Sequence, residues 1–232
     1  MRITDFDLFI TGSNYTAIVI RLVLAMVLGS LVGWERIAKH QSAGIKTFAL
    51  VSLGSAAATA LNLYLSALPG FNADVSRIPA GVVSGIGFLG AGNILVTGRN
   101  QIKGLSTAAT LWVTSCMGMA IGAGYLTVGI CSFLLVAFAN IVLLHVSNKV
   151  EEYSQYMRIY IEINKDKGVN TLTRMIHGQG FKIRSMTKSK EKTIMDSDTA
   201  LIIDMELDKK RSHTDVLTLL RNLDYINYVE EV

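Results

Sequence analysis

Three long stretches of the chain contain no Asp, Glu, Lys or Arg: residues 47–73, 78–98 and 104–148. A helix rises about 1.5 Å per residue and must cross roughly 30 Å of hydrocarbon, so about 20 apolar residues make one span. By length, the first two stretches predict one span each and the third predicts two. A further apolar run, Tyr15–Gly33, is interrupted only by Arg21 and ends at Trp34-Glu35-Arg36, where an aromatic and charges mark an interface. Five membrane helices are therefore predicted within residues 1–149.

After Lys149 the period changes. Residues 157–164 alternate apolar and polar positions, the pattern of a half-buried strand. Val169, Leu172 and Ile176 fall on one face of a predicted helix ended by Gly178 and Gly180. Strands are predicted over 181–188, 200–207 and 226–232. Ser212 stands where it can cap a helix carrying Val216, Leu219, Leu220 and Leu223. The order βαββαβ is that of ferredoxin-like domains, of which the ACT type is one variant. The predicted fold is a polytopic α-helical membrane domain, 1–149, followed by an α+β ferredoxin-like, ACT-like domain, 150–232. Such modules bind small ligands or pair their sheets, and both are open for the tail.

Composition agrees with this division. Of 22 Lys and Arg and 18 Asp and Glu, only nine and four respectively lie in 1–149. A soluble globule of that size could not cover its surface with so few charges, since about a quarter charged is usual. The N-terminus carries Asp5 and Asp7 with Arg2, and no cleaved signal peptide is expected. Loops are predicted near 34–46, 67–79, 98–104 and 124–127. Arg36, Lys39, Lys46, Arg99, Lys103 and Lys149 fall on one side, against Arg2 and Arg77 on the other. Positive charge stays inside, which puts the N-terminus outside and the tail in the cytoplasm. Cys116 and Cys131 fall within predicted spans, suggest neither a disulfide framework nor a zinc site, and read as small packing residues.

Helices in lipid associate through small residues that let backbones approach. Such residues recur at every fourth position: Ala25, Gly29 and Gly33 after Arg21; Gly54 and Ala58 before Asn62; Gly81 and Gly85; and Ser106, Thr110, Thr114, Gly118 and Gly122. Gly29, Gly33, Gly81, Gly85, Gly87, Gly90, Gly92 and Gly118 are expected to pack helices together. Gly85-Ile-Gly87-Phe-Leu-Gly90 also matches a dinucleotide-binding turn, but it lies in an uncharged stretch without the strand and acidic residue that reading needs.

Ionisable groups within a span are functional candidates by default. Arg21 either snorkels to headgroups or pairs with Asp74 in the second outer loop. Glu35 and Arg36 can form a self-contained interfacial pair. Asn62, Asn93 and Asn140 suit interhelical hydrogen bonds. Ser106, Thr107 and Thr110 either cap the fourth span or contact a ligand or partner. Magnesium usually needs at least one or two carboxylates. Glu35 and Asp74 are the candidates, on opposite sides, so no metal site and no cofactor are expected. The four histidines, His40, His145, His177 and His213, join no Ser-His-Asp, Cys-His or His-Glu-x-x-His arrangement, and enzymatic function finds no support.

Arg21-Leu-Val-Leu-Ala25, Leu28-Gly-Ser-Leu-Val-Gly-Trp-Glu-Arg36, Ala43-Gly-Ile-Lys-Thr47, Ala49-Leu and Gly54-Ser-Ala56 resemble the MgtC/SapB family of bacterial membrane proteins. The likeness is strongest in Val83-Ser-Gly-Ile-Gly-Phe-Leu-Gly-Ala-Gly92 and in Lys103-Gly-Leu-Ser-Thr-Ala-Ala-Thr-Leu-Trp112. Asp74 and Arg77, ahead of the third span, also fit the family pattern. Gly81 stands where relatives tend to have Gln, and Ser106 where Asn or Thr is usual. The resemblance implies a bacterial inner-membrane protein, linked in some members to growth at low magnesium and to virulence. It also implies action on other membrane proteins rather than carriage of magnesium.

The expected function is a non-enzymatic membrane regulator or interaction protein. The alternative is a small-ion or solute transporter formed by an oligomer, with Glu35 or Asp74 repeated around an axis. Expected partners are the bilayer, another membrane protein and a second copy of the chain, with no nucleic acid.

Overall fold

A computed structural model describes residues 14–38, 41, 43–70, 74–97, 101–164, 168–189, 193, 195, 198–207 and 211–232. Arg2, Asp5, Asp7, Lys39, His40 and Arg99, which entered the charge and motif reading, lie outside these. The chain divides into two compact units, residues 1–95 with 102–141, and residues 96–101 with 142–232.

The first unit is built of helices: α1 (Tyr15–Ala38), α2 (Ile45–Ser66), α3 (Arg77–Gly92), α4 (Leu105–Gly122) and α5 (Leu126–Phe138). Short strands β1 (Leu95–Val96) and β2 (Ile102–Lys103) form a ribbon between α3 and α4. After α5 come one π-helical turn, Ala139–Leu143, and α6 (Leu144–Glu152), which continue the same helix. Successive helices alternate in direction. Gly33 of α1 meets Ile45 at the start of α2, Gly118 and Gly122 of α4 meet Ser52 and Ala56 of α2 in parallel order, and Gly90 of α3 meets Ala108 near the start of α4.

Four of the described helical segments are long and apolar enough to cross a bilayer: Tyr15–Ile37, Ile45–Ser66, Leu105–Gly122 and Leu126–Glu152. The third predicted span is shorter than its uncharged stretch. Helix α3 has 16 residues, about 24 Å at 1.5 Å each. It ends through two weak helix formers, Gly90 and Gly92, and a tight last turn in which Asn93 N–H donates to the Gly90 carbonyl at 3.1 Å. Gly85, Gly87 and Gly90 all lie within α3 rather than in a nucleotide-binding turn.

Helix α2 lies between α1 and α4. A methyl built on Gly29 would stand 2.6 Å from the Phe48 carbonyl oxygen and 2.8 Å from Ser52 Cβ. One on Gly33 would stand 2.6 Å from the α-carbon of Ile45, and those on Gly118 and Gly122 would collide with the Ser52 and Ala56 backbones. The hydroxyls of Ser55 and Ser115 are bonded at 2.8 Å across the α2–α4 contact. Around these approaches pack Ala25, Ala56, Met117 and Ile121 towards one end, and Val32, Phe48, Ile86 and Leu111 towards the other. Gly104 takes φ of 91°, with the Asn93 carbonyl where a side chain would go, so the ribbon can turn into α4 only at a glycine.

The glycines of α3 behave otherwise, and the sequence expectation is corrected there. A methyl on Gly81, Gly85, Gly87 or Gly92 would meet nothing within 4 Å, and one on Gly90 would make an ordinary 3.4 Å contact with Ala108. The inward row of α3 is Val82, Ile86 and Gly90. That row is one residue on from Gly81 and Gly85, a turn of about 100°.

The second unit contains β3 (Tyr156–Asn164), α7 (Gly168–Gly178), β4 (Lys182–Lys188), β5 (Asp198–Glu206), α8 (His213–Arg221) and β6 (Ile226–Glu231). The sheet order is β4-β5-β3-β6, with every neighbouring pair antiparallel. Alternation along β3 and β5 sends Met157, Ile159, Ile161, Ile163, Leu201, Ile203 and Met205 into one core with Leu172 and Ile176 of α7 and Val216 and Leu220 of α8. On the other face Arg158 lies opposite Asp204, and Tyr160, opposite Glu230, donates to buried Glu162 at 2.7 Å. Ser212 begins α8 without its side chain capping the helix. Its hydroxyl donates instead to Glu152 at 2.8 Å, while buried His213 lies 2.6 Å from Glu231 and 2.9 Å from the Ser154 carbonyl.

Candidate functional site

The buried face of α1 repeats at four-residue intervals, Ala17, Arg21, Ala25, Gly29 and Gly33, and closes with Arg36. This spacing keeps a helical face inward, so both arginines are carried into the bundle rather than outward. Only 4 % of Arg36 is exposed. Its Nη1 and Nη2 donate to Ser106 Oγ at 3.3 and 3.4 Å, and Nη2 also donates to Thr110 Oγ1. From the last helix, Asn140 Oδ1 accepts from Nη2 at 2.8 Å. Glu35 lies 3.7 Å from Nε. The expected pair of Glu35 with Arg36 is thus one side of a larger cluster in which α1, α4 and the π turn after α5 converge.

The hydroxyls at the start of α4 do not cap it. Gly104 occupies the cap position, Ser106 Oγ receives Arg36, and buried Thr107 donates to Gln41 Oε1 at 3.1 Å. Thr110 turns its own proton to the Ser106 carbonyl at 2.8 Å, leaving its oxygen lone pairs for Arg36. A planar guanidinium with five donors suits such a set of divergent acceptors, where an ammonium does not.

Arg21 lies at the opposite end. It donates to the Gly122 carbonyl at 3.2 Å and to the Ala17 carbonyl at 3.4 Å. One of the last carbonyls of α4 lacks a partner within its own helix, so a buried arginine satisfies it and adds favourable charge at a helix C-terminus. The expectations that Arg21 snorkels outward or meets Asp74 are both corrected. Asp74 is exposed and accepts from the Ser76 amide at 2.8 Å and the Ser76 hydroxyl at 2.7 Å, just ahead of α3. These bonds, with the nearby charge of Arg77, hold its carboxyl below the ordinary aspartate range. Asn62 Nδ2 donates to the Val75 carbonyl at 2.7 Å and ties the end of α2 to the same loop.

The chemistry of this arrangement is positional. Arg36 joins three helices at one end, and Arg21 joins two at the other. Glu35 and Asp74 lie at opposite ends of the bundle, since α2 runs away from Gly33 and Asp74 follows its far end. Among the described residues, no three His, Cys, Asp or Glu side chains come together as metal ligands. Asn140 makes the interhelical hydrogen bond expected of it, but its partner, Arg36, was not foreseen from the sequence. Nothing in residues 104–148 marks a π turn that would aim that side chain at Arg36.

A bundle of apolar helices with charged groups confined to its ends, followed by a sheet-containing tail, defines a multi-pass helical membrane protein. The model of the MgtC family matches residues 22–149, and the chain belongs to that family. It is 32% identical over 209 residues to YhiD of Escherichia coli (strain K12), covering 88% of this chain and 94% of that one; YhiD is named as a candidate magnesium transporter. It is 37% identical over 134 residues to Protein MgtC of Salmonella typhimurium (strain LT2), covering 58% of this chain and 55% of that one. Against the uncharacterized protein slr0014 of Synechocystis it is 42% identical over 124 residues, or 53% and 51% of the two chains. No solved structure matches the chain at a significant level.

Proposed function

We propose that this protein is a non-enzymatic membrane regulator that works by binding another membrane protein, in a setting of magnesium limitation or membrane-energy homeostasis. The observation that carries this reading is the outer face of α3. Gly81, Gly85 and Gly92 have open space around them, and Phe88 is 82% exposed between them. Small residues permit close helix contact in lipid, and these are not spent inside the bundle. A partner helix can use them, and a second copy of this chain is the other occupant that the same face would accept. In this reading α3 completes five crossings, with the N-terminus outside. Residues 150–232 are then a cytoplasmic ferredoxin-like module of the ACT type that senses or docks.

A transporter is the second reading, favoured by the naming of the Escherichia coli relative. The experiment is photo-cross-linking in native membranes from a reactive side chain at Phe88, with and without Gly85→Leu. A cross-link to a different membrane protein that Gly85→Leu removes, while the protein still accumulates, supports the regulator. Cross-links to lipid alone contradict it.

A further inference from the structure

The helix from Leu126 is regular to Phe138, takes one π turn over Ala139–Leu143, and is regular again from Leu144 to Glu152. A π turn closes i→i+5 hydrogen bonds and so holds one residue more than an α turn; such turns are rare and frequent at functional sites. Everything after it is set back by one residue relative to a continuous α-helix, about 100° of rotation and about 1.5 Å of rise.

Asn140 is the second residue of this turn, and its side chain is the one that Arg36 holds at 2.8 Å. Arg36 is itself fixed by Ser106 and Thr110 of α4, so Asn140 meets a rigid donor rather than a mobile one. Partial burial ends at Asn140, since every residue from Ile141 to Val150 is exposed. The register of α6 is therefore set at the turn.

We propose that the Arg36–Asn140 bond is a register latch. While it is made, the turn stays π and α6 keeps the observed register. When it is lost, the turn relaxes to α, and α6 rotates and advances by the increments above. A helix with two discrete registers is the kind of element that two distant sites can bias together. The latch does not rest on the regulator reading, because helix register is measurable whether or not a partner exists.

The test uses the full chain in lipid nanodiscs, with Cys116→Ser and Cys131→Ser as background. One spin label is placed at Trp112 and a second, in turn, at positions 145 to 148. Distances are compared for the parent, Asn140→Ala and Asn140→Asp. On a helix about 10–12 Å across, a 100° rotation displaces a label by up to about 8 Å. The expected result is a shift of several ångströms in Asn140→Ala, of opposite sign on opposite faces of α6, and parent distances in Asn140→Asp, which keeps an acceptor for Arg36. Arg36→Lys, which loses the planar fork, is expected to shift in the same way as Asn140→Ala. Unchanged distances in both Asn140→Ala and Arg36→Lys, or a shift in Asn140→Asp as large as in Asn140→Ala, would overturn the latch.

Discussion

Arg36 and Asn140 are 104 positions apart in the chain and 2.8 Å apart in space, guanidinium Nη2 to side-chain oxygen. The bond gathers the ends of α1, α4 and the last helix around one buried cation. Removing the guanidinium deprives Ser106, Thr110 and Asn140 of the bonds it donates and takes its charge from beside Glu35. Arg36→Leu is therefore expected to cost about 3 kcal/mol, in the range for breaking a buried charged cluster. Arg36→Lys is expected to recover only part of this, because one ammonium cannot span the three acceptors. Thermal melting of the detergent-solubilised protein checks both, and a parent-like melting temperature for Arg36→Leu would contradict the cluster's role.

The glycines divide into two classes that mutation can separate. Gly118→Leu and Gly29→Leu place a side chain into the α2 backbone on either side of Ser52 and are expected to prevent assembly of the bundle. Gly85→Leu places one into open space and is expected to melt within a few degrees of the parent. Size-exclusion profiles and melting curves distinguish the cases.

Much of this arrangement was legible in the sequence, for physical reasons. Long uncharged stretches marked the helices of the bundle, and the period-2 pattern at 157–164 marked β3 to within a residue. The close approaches at Gly29, Gly33 and Gly118 follow a four-residue spacing that any packed helix face must show. The same spacing at Gly81 and Gly85 misled, because spacing identifies a face and not what covers it. The inward direction of Arg36 was likewise hidden. Beside Glu35 it reads as an interfacial pair, and the acceptors that draw it inward are 70 or more positions away. The shortness of α3 came from Gly90, Gly92 and Asn93, which hydropathy alone counts as part of a span.

In the tail, Arg158 and, secondarily, Ser185 donate to the Asp204 carboxylate and hold it below the ordinary aspartate range. A carboxyl depressed in the folded state stabilises above its unfolded value, near pH 4, and that stabilisation is lost as pH falls through the lower folded value. The β3–β5 amides are expected to lose hydrogen-exchange protection in acid, below about pH 4. Arg158→Met is expected to flatten that dependence. The pair is partly exposed, so the effect is modest, and equal acid sensitivity in Arg158→Met would refute the assignment.

Orientation is open to a direct reading. Arg36, Lys46 and Lys103 lie towards one end of the bundle and Arg77 towards the other, and the proposed orientation, with the former in the cytoplasm, rests on that bias. A periplasm-active reporter fused after Val232 is expected to be silent, and the same reporter inserted near Gly70 to be active. The reverse pattern would invert the molecule.

In the proposed reading the bundle is a platform for a partner and not a pathway for an ion. A carrier of magnesium must replace part of the ion's water with oxygen ligands, and neutralising those ligands stops flux. Magnesium uptake by liposomes containing the purified full chain tests this most directly. The expected result is uptake no greater than in empty vesicles, with Glu35→Gln and Asp74→Asn making no difference. Saturable uptake abolished by either substitution, in protein that still melts like the parent, would contradict the regulator and establish the transporter.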